Sequence, residues 1–313
     1  MEVTCQIILV AYHGQAWLPA CLSSLQQATA ANAMLTIVDN AGEHDFSPLP
    51  CATFRCEIAK TPQPMGFAEA NNFALARTKE PCFATCLLNQ DTISQTGWLD
   101  ACVGMLKRNP RLGAVTPVLR TYDGTGFDPG FLEILRPEYR SEGGLAQLHR
   151  REFVETTAVT GAAMVIRTDA LRLVGPFDPI YGSYYEDYDL CARIRRAGYE
   201  MGVCTAAEVR HFSGSATQTE AQRTRRSRQI IRNKAIYDIR FGGGSRQGRV
   251  AACFLRNLPH RLVRSFLCTP SSQPVSAVIG ASTDLLSLFP RLVSAGCDER
   301  NWNDYLQSIR WEY

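Results

Sequence analysis

The sequence predicts an α/β fold: a doubly wound, mostly parallel sheet flanked by helices, with a helical extension at the C-terminal end. Three observations predict it. Short apolar runs end abruptly in polar clusters, as buried strands do at a ligand-binding sheet edge. Apolar residues at helical spacing separate these runs over the first 120 residues. Beyond residue 240 the strand-like runs stop, and Val250, Phe254 and Leu258 recur every four residues among arginines.

Val3–Tyr12 reads as the first strand, followed by the turn His13-Gly14-Gln15. Ala16–Ala28 follows as a helix, with Trp17, Cys21 and Leu25 on one face. Met34–Val38 is a second buried strand closed by Asp39-Asn40, and a third lies around Thr53–Ala59. Pro62–Gly66 is a rigid loop before a helix over Phe67–Arg77. Cys82–Leu88 is an unbroken apolar run whose polarity switches at Asn89-Gln90-Asp91-Thr92, and Trp98–Arg108 is an amphipathic helix. Tyr122–Arg150, rich in Gly, Pro and charge, is expected to be a mobile loop over the site. Strand character resumes over Glu152–Val159 and Ala162–Ile166, and a short helix over Thr168–Val174 stops at Gly175-Pro176. A helix near Glu186–Ala197 ends with Arg195, Arg196 and Gly198, and Tyr199–Val209 is a last strand leading to His211. Gly242–Gly244 marks a hinge before the tail, which divides the chain into a domain over residues 1–240 and a basic amphipathic tail over 241–313.

The 313 residues are 45% hydrophobic and 20% charged, ordinary globular composition with ample material for a core. The net charge of +3 is unevenly distributed: Gln222–Arg264 holds twelve Lys or Arg and one acid, Asp238, so the remainder is net acidic. Twelve cysteines suggest a disulfide framework until their positions are read. Cys5, Cys82, Cys86 and Cys204 sit inside apolar runs, where Cys acts as a small hydrophobe, and there is no C-x-x-C pair to suggest a zinc or redox site. The first residues lack a basic segment and read as a strand, and no run of about 18 apolar residues exists, so neither a signal peptide nor a transmembrane helix is expected. A cytoplasmic protein with reduced thiols is expected.

Four polar clusters carry the candidate chemistry. Asp39-Asn40 and Asn89-Gln90-Asp91 each close a buried strand and should line one sheet edge, where an acid can bind ribose or a hard cation. Each also has a plainer reading: Asp39-Asn40 as a turn, Asp91 as a turn opener or cap of the helix at Trp98. Glu186-Asp187-Tyr188-Asp189 opens a helix, where the macrodipole favours acids by ~0.3–1 kcal/mol each. Three acids in four residues exceed what capping needs. Glu186 and Asp187 point about 100° apart, so one can serve as general base while the other holds acceptor hydroxyls. His211 closes the last strand, where it is either structural or, with Asp91, part of a metal site.

These residues carry a family resemblance. V-A-Y-H-G at 10–14, I-V-D-N at 37–40, G-F-A-E-A-N-N at 66–72 and L-L-N-Q-D-T at 87–92 resemble the inverting family-2 glycosyltransferases of GT-A fold. So do T-G-A-A-M-V-I-R at 160–167, G-P-F-D at 175–178, E-D-Y-D-L-C-A-R-I-R-R-A-G-Y at 186–199 and V-R-H at 209–211. The series runs in the family's order over about 210 residues and looks most like rhamnosyltransferase-type enzymes of bacterial cell-surface polysaccharide synthesis.

The resemblance implies an inverting, metal-dependent transfer of sugar from a nucleotide-diphosphate donor to an acceptor hydroxyl, with Mg2+ or Mn2+ as cofactor. Ala11, Tyr12, Asp39 and Asn40 would lie at the nucleoside, and Gly66, Asn72 and Asn89 would shape the diphosphate-sugar pocket. Asp91 matches the last acid of the D-x-D metal motif, with Asn89 where the first acid often stands, and His211 matches a further metal ligand. Asp187 matches the catalytic base and Glu186 its acceptor-positioning neighbour. Gln90 stands where a proline is frequent, a departure without a sequence-level reading. A saccharide or lipid-linked saccharide acceptor is implied, and the basic tail suits an anionic membrane surface on the inner face of the plasma membrane, or else helices packed with a solvated charged face. No nucleic-acid motif accompanies the charge. Two alternatives are a catalytically inactive GT-A subunit serving in binding or assembly, and a nucleotidyltransferase on a related sheet.

Overall fold

The computed structural model describes residues 4–28, 32–40, 42, 46, 55–78, 82–213, 219–267 and 275–293. They fall into two compact units. One joins the chain up to Pro179 with Asp187–Ser213, and the other joins Ile180–Glu186 with the helices from residue 219 onward.

The first unit is a nine-stranded mixed, mostly parallel sheet with helices against it. Its strands and helices run β1 (Cys5–Ala11), α1 (Leu18–Ala28), β2 (Ala33–Asp39), β3 (Arg55–Lys60), α2 (Phe67–Leu75), β4 (Ala84–Asn89), β5 (Thr92–Ser94), α3 (Trp98–Arg108), β6 (Leu112–Thr121), α4 (Pro129–Ile134), α5 (Glu142–Leu148), β7 (Phe153–Glu155), β8 (Ala163–Arg167), α6 (Thr168–Val174), α7 (Glu186–Arg196) and β9 (Glu200–His211). The sheet order is β3-β2-β1-β4-β8-β6-β9-β5, with β7 also paired to β9. The stretch β3-β2-β1-β4 is parallel, which is why β1, β2 and β4 are mostly apolar, with both faces covered and their few interior polar residues, Gln6, Thr36 and Thr85, buried and hydrogen-bonded. β8 runs antiparallel between β4 and β6, and β9 returns parallel to β6.

One strand is added and one expectation is corrected. β6 has no counterpart among the elements read from the sequence, and Pro117 lies within it. The strand accommodates it at a register shift between Pro117 and Val118, where the ladder is already broken. The stretch 122–150 is not a structureless loop. It carries α4, a 3-10 turn over Pro137–Tyr139, and α5, with Phe131 and Leu148 fully buried. Asp128 followed by Pro129 is the N-cap and first-turn proline pair of a helix start, masked by the surrounding Gly and charge. The expected third strand begins at Arg55, since residues 51–54 lie outside the described residues.

The second unit contains α8 (Glu220–Phe241), α9 (Arg246–Ala252), a π-helical turn over Cys253–Asn257, α10 (Leu258–Leu267), α11 (Val275–Ser287) and α12 (Phe289–Val293). α8, which up to residue 240 falls within the expected 1–240 domain, packs among the tail helices. Its own core joins Tyr181 to Ile231, Ile236, Ile239, Val250, Leu258, Val278 and Leu285. No described helix is long and apolar enough to cross a membrane.

Candidate active site

Parallel register brings the strand ends together. Ala11 pairs with Asp39 and Val10 with Asn89, so the first two polar clusters share the carboxyl edge of the sheet, as expected. The antiparallel pair β5–β9 then sets Thr92 opposite His211. The imidazole Nε2 consequently lies 3.4 Å from Asp91 Oδ1, and the Phe212 N–H donates to the Asp91 carbonyl at 3.1 Å.

The other ring nitrogen of His211 is held by a residue that sequence reading missed. Nδ1 lies 3.0 Å from Asp128 Oδ2, which also accepts the Ser213 hydroxyl, while Asp128 Oδ1 caps α4 through the Phe131 N–H at 3.0 Å. Burial disfavours a charged His211, but its hydrogen bonds to Asp128 and Asp91, with their charges, outweigh that and raise it to about 9. Burial likewise opposes ionised Asp128, and the bonds from His211 and Ser213 overcome it, leaving its pKa lowered. The Asn89 amide nitrogen lies 3.3 Å from His211 Nε2.

Asp187 reaches this edge through a short chain of contacts. Its Oδ2 accepts the Gly161 N–H at 3.1 Å, its Oδ1 accepts the Tyr188 N–H at 2.8 Å, and the adjacent Ala162 carbonyl accepts the Asn89 N–H at 2.9 Å. Burial raises the Asp187 pKa above the usual carboxylate value, and the two N–H bonds pull the other way without cancelling it. Glu186, the residue before it, is buried. The third acid has a structural role, since Asp189 holds Arg193 at 2.8 Å and that guanidinium also donates to the carbonyls of Val174, Gly175 and Pro176.

The remaining candidates divide into edge groups and braces. Asp39 is buried and accepts the Gly42 N–H at 3.0 Å. Asn40 donates to the Met65 carbonyl and accepts the Met65 N–H, both at 2.9 Å, which ties the Pro62–Gly66 loop to β2. Asn72 does the same to Phe177, donating at 2.7 Å and accepting at 3.0 Å. Gly66 is the N-cap of α2, its N–H held by Glu69 at 3.1 Å. Tyr12 is exposed, and its backbone is clamped by Gln90: the amide oxygen accepts the Tyr12 N–H at 3.0 Å, and the amide nitrogen donates to the Tyr12 carbonyl at 2.7 Å. A Cβ at position 14 would fall 2.0 Å from Gln90 Oε1, so a side chain there would push the Gln90 amide off the Tyr12 backbone. Gln90 therefore links the end of β1 to the turn carrying Asp91, a role no proline could fill.

Comparison with known proteins follows the same outline. The sequence pattern described as "Glycosyltransferase like family 2" matches residues 50–231. A Mycobacterium tuberculosis N-acetylglucosaminyl-diphospho-decaprenol L-rhamnosyltransferase is 26% identical over 237 residues, covering 67% of this chain and 76% of its own length. The mannosyltransferase PcManGT of Pyrobaculum calidifontis, solved with GDP-Man and Mn2+, superposes with a TM-score of 0.58 at 16% identity over 100% of this chain and 86% of that one. GalNAc-T7, solved with UDP, GalNAc and Mn2+, superposes with a TM-score of 0.56 at 12% identity over 76% of this chain. This chain spans 48% of the length of GalNAc-T7.

Proposed function

The chain belongs to glycosyltransferase family 2, and from that premise we propose that it transfers a sugar from a nucleotide-diphosphate donor to an acceptor hydroxyl with inversion at the anomeric carbon. The observation that carries this reading is the single sheet edge that gathers Asp39, Asp91 and His211, with Asp187 tied to Asn89 through Gly161 and Ala162. Asp39 and the clamped Tyr12 backbone face the nucleoside end. Asp187 accepts the proton of the attacking hydroxyl, a role suited to a carboxylate whose pKa burial has raised. Attack from the side opposite the departing diphosphate inverts the anomeric centre.

The donor atoms fit a divalent cation. A buried carboxylate on Nδ1 is the arrangement that orients metal-binding histidines, and it leaves His211 Nε2 beside Asp91 Oδ1. Among the described residues no group of three or more His, Cys, Asp or Glu side chains is arranged to hold an ion. Asp91 and His211, whose Nε2 would give up its proton to the incoming cation, would hold Mg2+ or Mn2+ jointly with diphosphate oxygens and water. Such an ion would offset the charge developing on the leaving diphosphate.

A lipid-linked saccharide is the acceptor class we assign, because the mycobacterial relative is named for a diphospho-decaprenol substrate. The second unit supports it. Several basic side chains are engaged internally: Arg228 with Asp284, Lys234 with Asp238, and Arg249 with the Ile239 carbonyl. The residues left at the surface form a tighter pattern. Leu255, Val263, Phe266 and Leu267 are 80%, 55%, 64% and 78% exposed, and Arg256, His260 and Arg264 run beside them at four-residue spacing. An apolar stripe edged by two arginines suits the plane of an anionic membrane, at about 1 kcal/mol per cation near the surface, and on this reading the enzyme works at the cytoplasmic face.

Three measurements test these statements. Thermal stabilisation with Mn2+ and UDP-, dTDP- or GDP-sugars should single out one donor, with about 2.7 kcal/mol at a hundred times its Kd. NMR of the product should show the anomeric configuration reversed from the donor, and retention would overturn the mechanism. Separately, the full chain should float with phosphatidylglycerol vesicles at low salt and detach as salt rises, and Phe266→Asp with Leu267→Asp should abolish flotation. Equal flotation of that variant would show that the stripe is not the contact.

A further inference from the structure

The residues leading into Glu186 and Asp187 have an unusual backbone. Tyr184 and Tyr185 both lie in the left-handed region, at φ 71° and 72°. An L-residue there presses its Cβ against its own carbonyl, and a tyrosine has no short polar side chain to compensate locally. Two such residues in succession persist only where the surroundings over-determine them, and they gather at functional sites.

What holds them is one side chain of α8. Asn233 is fully buried, and its Nδ2 donates to the carbonyls of Tyr181 at 2.8 Å, Ser183 at 2.9 Å and Tyr184 at 2.7 Å. Its two amide hydrogens are thus shared among three acceptors. Its Oδ1 accepts from Arg232 at 2.6 Å. Asparagine is a poor residue for the middle of a 22-residue helix, so helix stability does not account for it. The same helix supplies three further contacts to the segment. Arg226 lies 5.5 Å from the Tyr184 ring centroid, the Tyr237 ring 5.9 Å from that of Tyr185, and Arg240 5.5 Å from that of Tyr181. Residues 226, 233, 237 and 240 fall on one face of an α-helix. Arg226 and Arg240, two members of the basic belt, therefore face this turn.

We propose that Asn233 is a positioning residue for transfer: by gathering three carbonyls of the left-handed turn at 181–185 it fixes where Glu186, the residue that closes this segment of the same unit, points. This rests on Glu186 and Asp187 being the acceptor-positioning residue and the base. A buried asparagine that merely satisfied loop carbonyls would, on removal, lower stability without singling out turnover. A residue that aims Glu186 at the acceptor has a different signature, since about 1 Å of misplacement can cost ~100-fold in rate.

The test is a double-mutant cycle that uses the backbone itself. Glycine adopts positive φ freely, so a Tyr184→Gly/Tyr185→Gly background should need Asn233 less. With tyrosines present, Asn233→Ala should lower kcat ~100-fold and leave the Kd for nucleoside diphosphate with Mn2+ within about twofold; in the glycine background the same substitution should cost under ~10-fold. Asn233→Ser, which is small and keeps one donor, is carried in parallel should the alanine variant fail to fold, and should fall between the two. An equal loss in both backgrounds, a loss of donor affinity matching the loss of kcat, or an unchanged kcat would overturn the proposal. Asp187→Asn, measured alongside, separates the two failures. If it abolishes turnover while Asn233→Ala does nothing, the positioning role is wrong; if it leaves turnover intact, the assignment of the base is wrong.

Discussion

Asp187→Asn is expected to reduce transfer by about 10³-fold while the nucleotide sugar binds as before, because a general base contributes ~10²–10⁴ and the amide cannot accept the acceptor's proton. The substitution keeps the side chain's shape. Asparagine Oδ1 can still accept one of the N–H groups of Gly161 and Tyr188 that the carboxylate holds, so loss of fold is not the expected cause. The pH profile supplies a second readout. Burial raises the Asp187 pKa above its ordinary value of 3.8, and only the ionised form can take a proton. Turnover of the native enzyme should be full above the raised value and fall as the pH drops through it. The residual turnover of the asparagine variant should lack that acid limb. Steady-state kinetics beside donor titrations decide it, and a variant with near-native kcat would remove Asp187 from the role.

Removal of the cation is expected to have the next largest effect. Chelation and Asp91→Ala should each weaken binding of the nucleoside diphosphate, by ~10–100-fold, and the two losses should not add, because both delete one interaction. Asp128→Asn should weaken metal affinity over a similar ~10–100-fold range without touching the ion, since it orients the His211 ring and its loss is compensated by more metal. Calorimetric titration with Mn2+, with and without nucleotide, distinguishes these outcomes. Donor binding indifferent to chelator in the native enzyme would rule out the assigned site.

Much of this chain is readable because its central strands are covered on both faces. Ile7–Leu9, Ile37–Val38 and Cys86–Leu88 leave almost no accessible surface, so they had to be apolar. The change to polar residues at Asp39, Asn89 and Asp91 then marks where each strand leaves the core. The reading is weaker wherever a polar side chain serves the backbone. Asn40 and Asn72 look like ligand-binding amides in sequence, yet both of their polar ends are engaged by Met65 and Phe177. Gln90 has no sequence-level meaning until Tyr12, 78 positions away, lies beside it.

From its sequence alone, then, the covered strands of the parallel core and the edge at which they end were legible, since each follows from burial local to one strand, while the roles proposed for Asp91, Asp187 and His211 came from the family resemblance. Only the tertiary structure decided that Asp128 stands behind His211, that Pro117 sits in a strand at a bulge, and that Asn233 grips the turn before the acid pair. The Asp128 and Asn233 contacts join residues 49 to 85 positions apart in the chain, and what brings them together is the register of β6 on β9 and the packing of α8, which no local periodicity encodes.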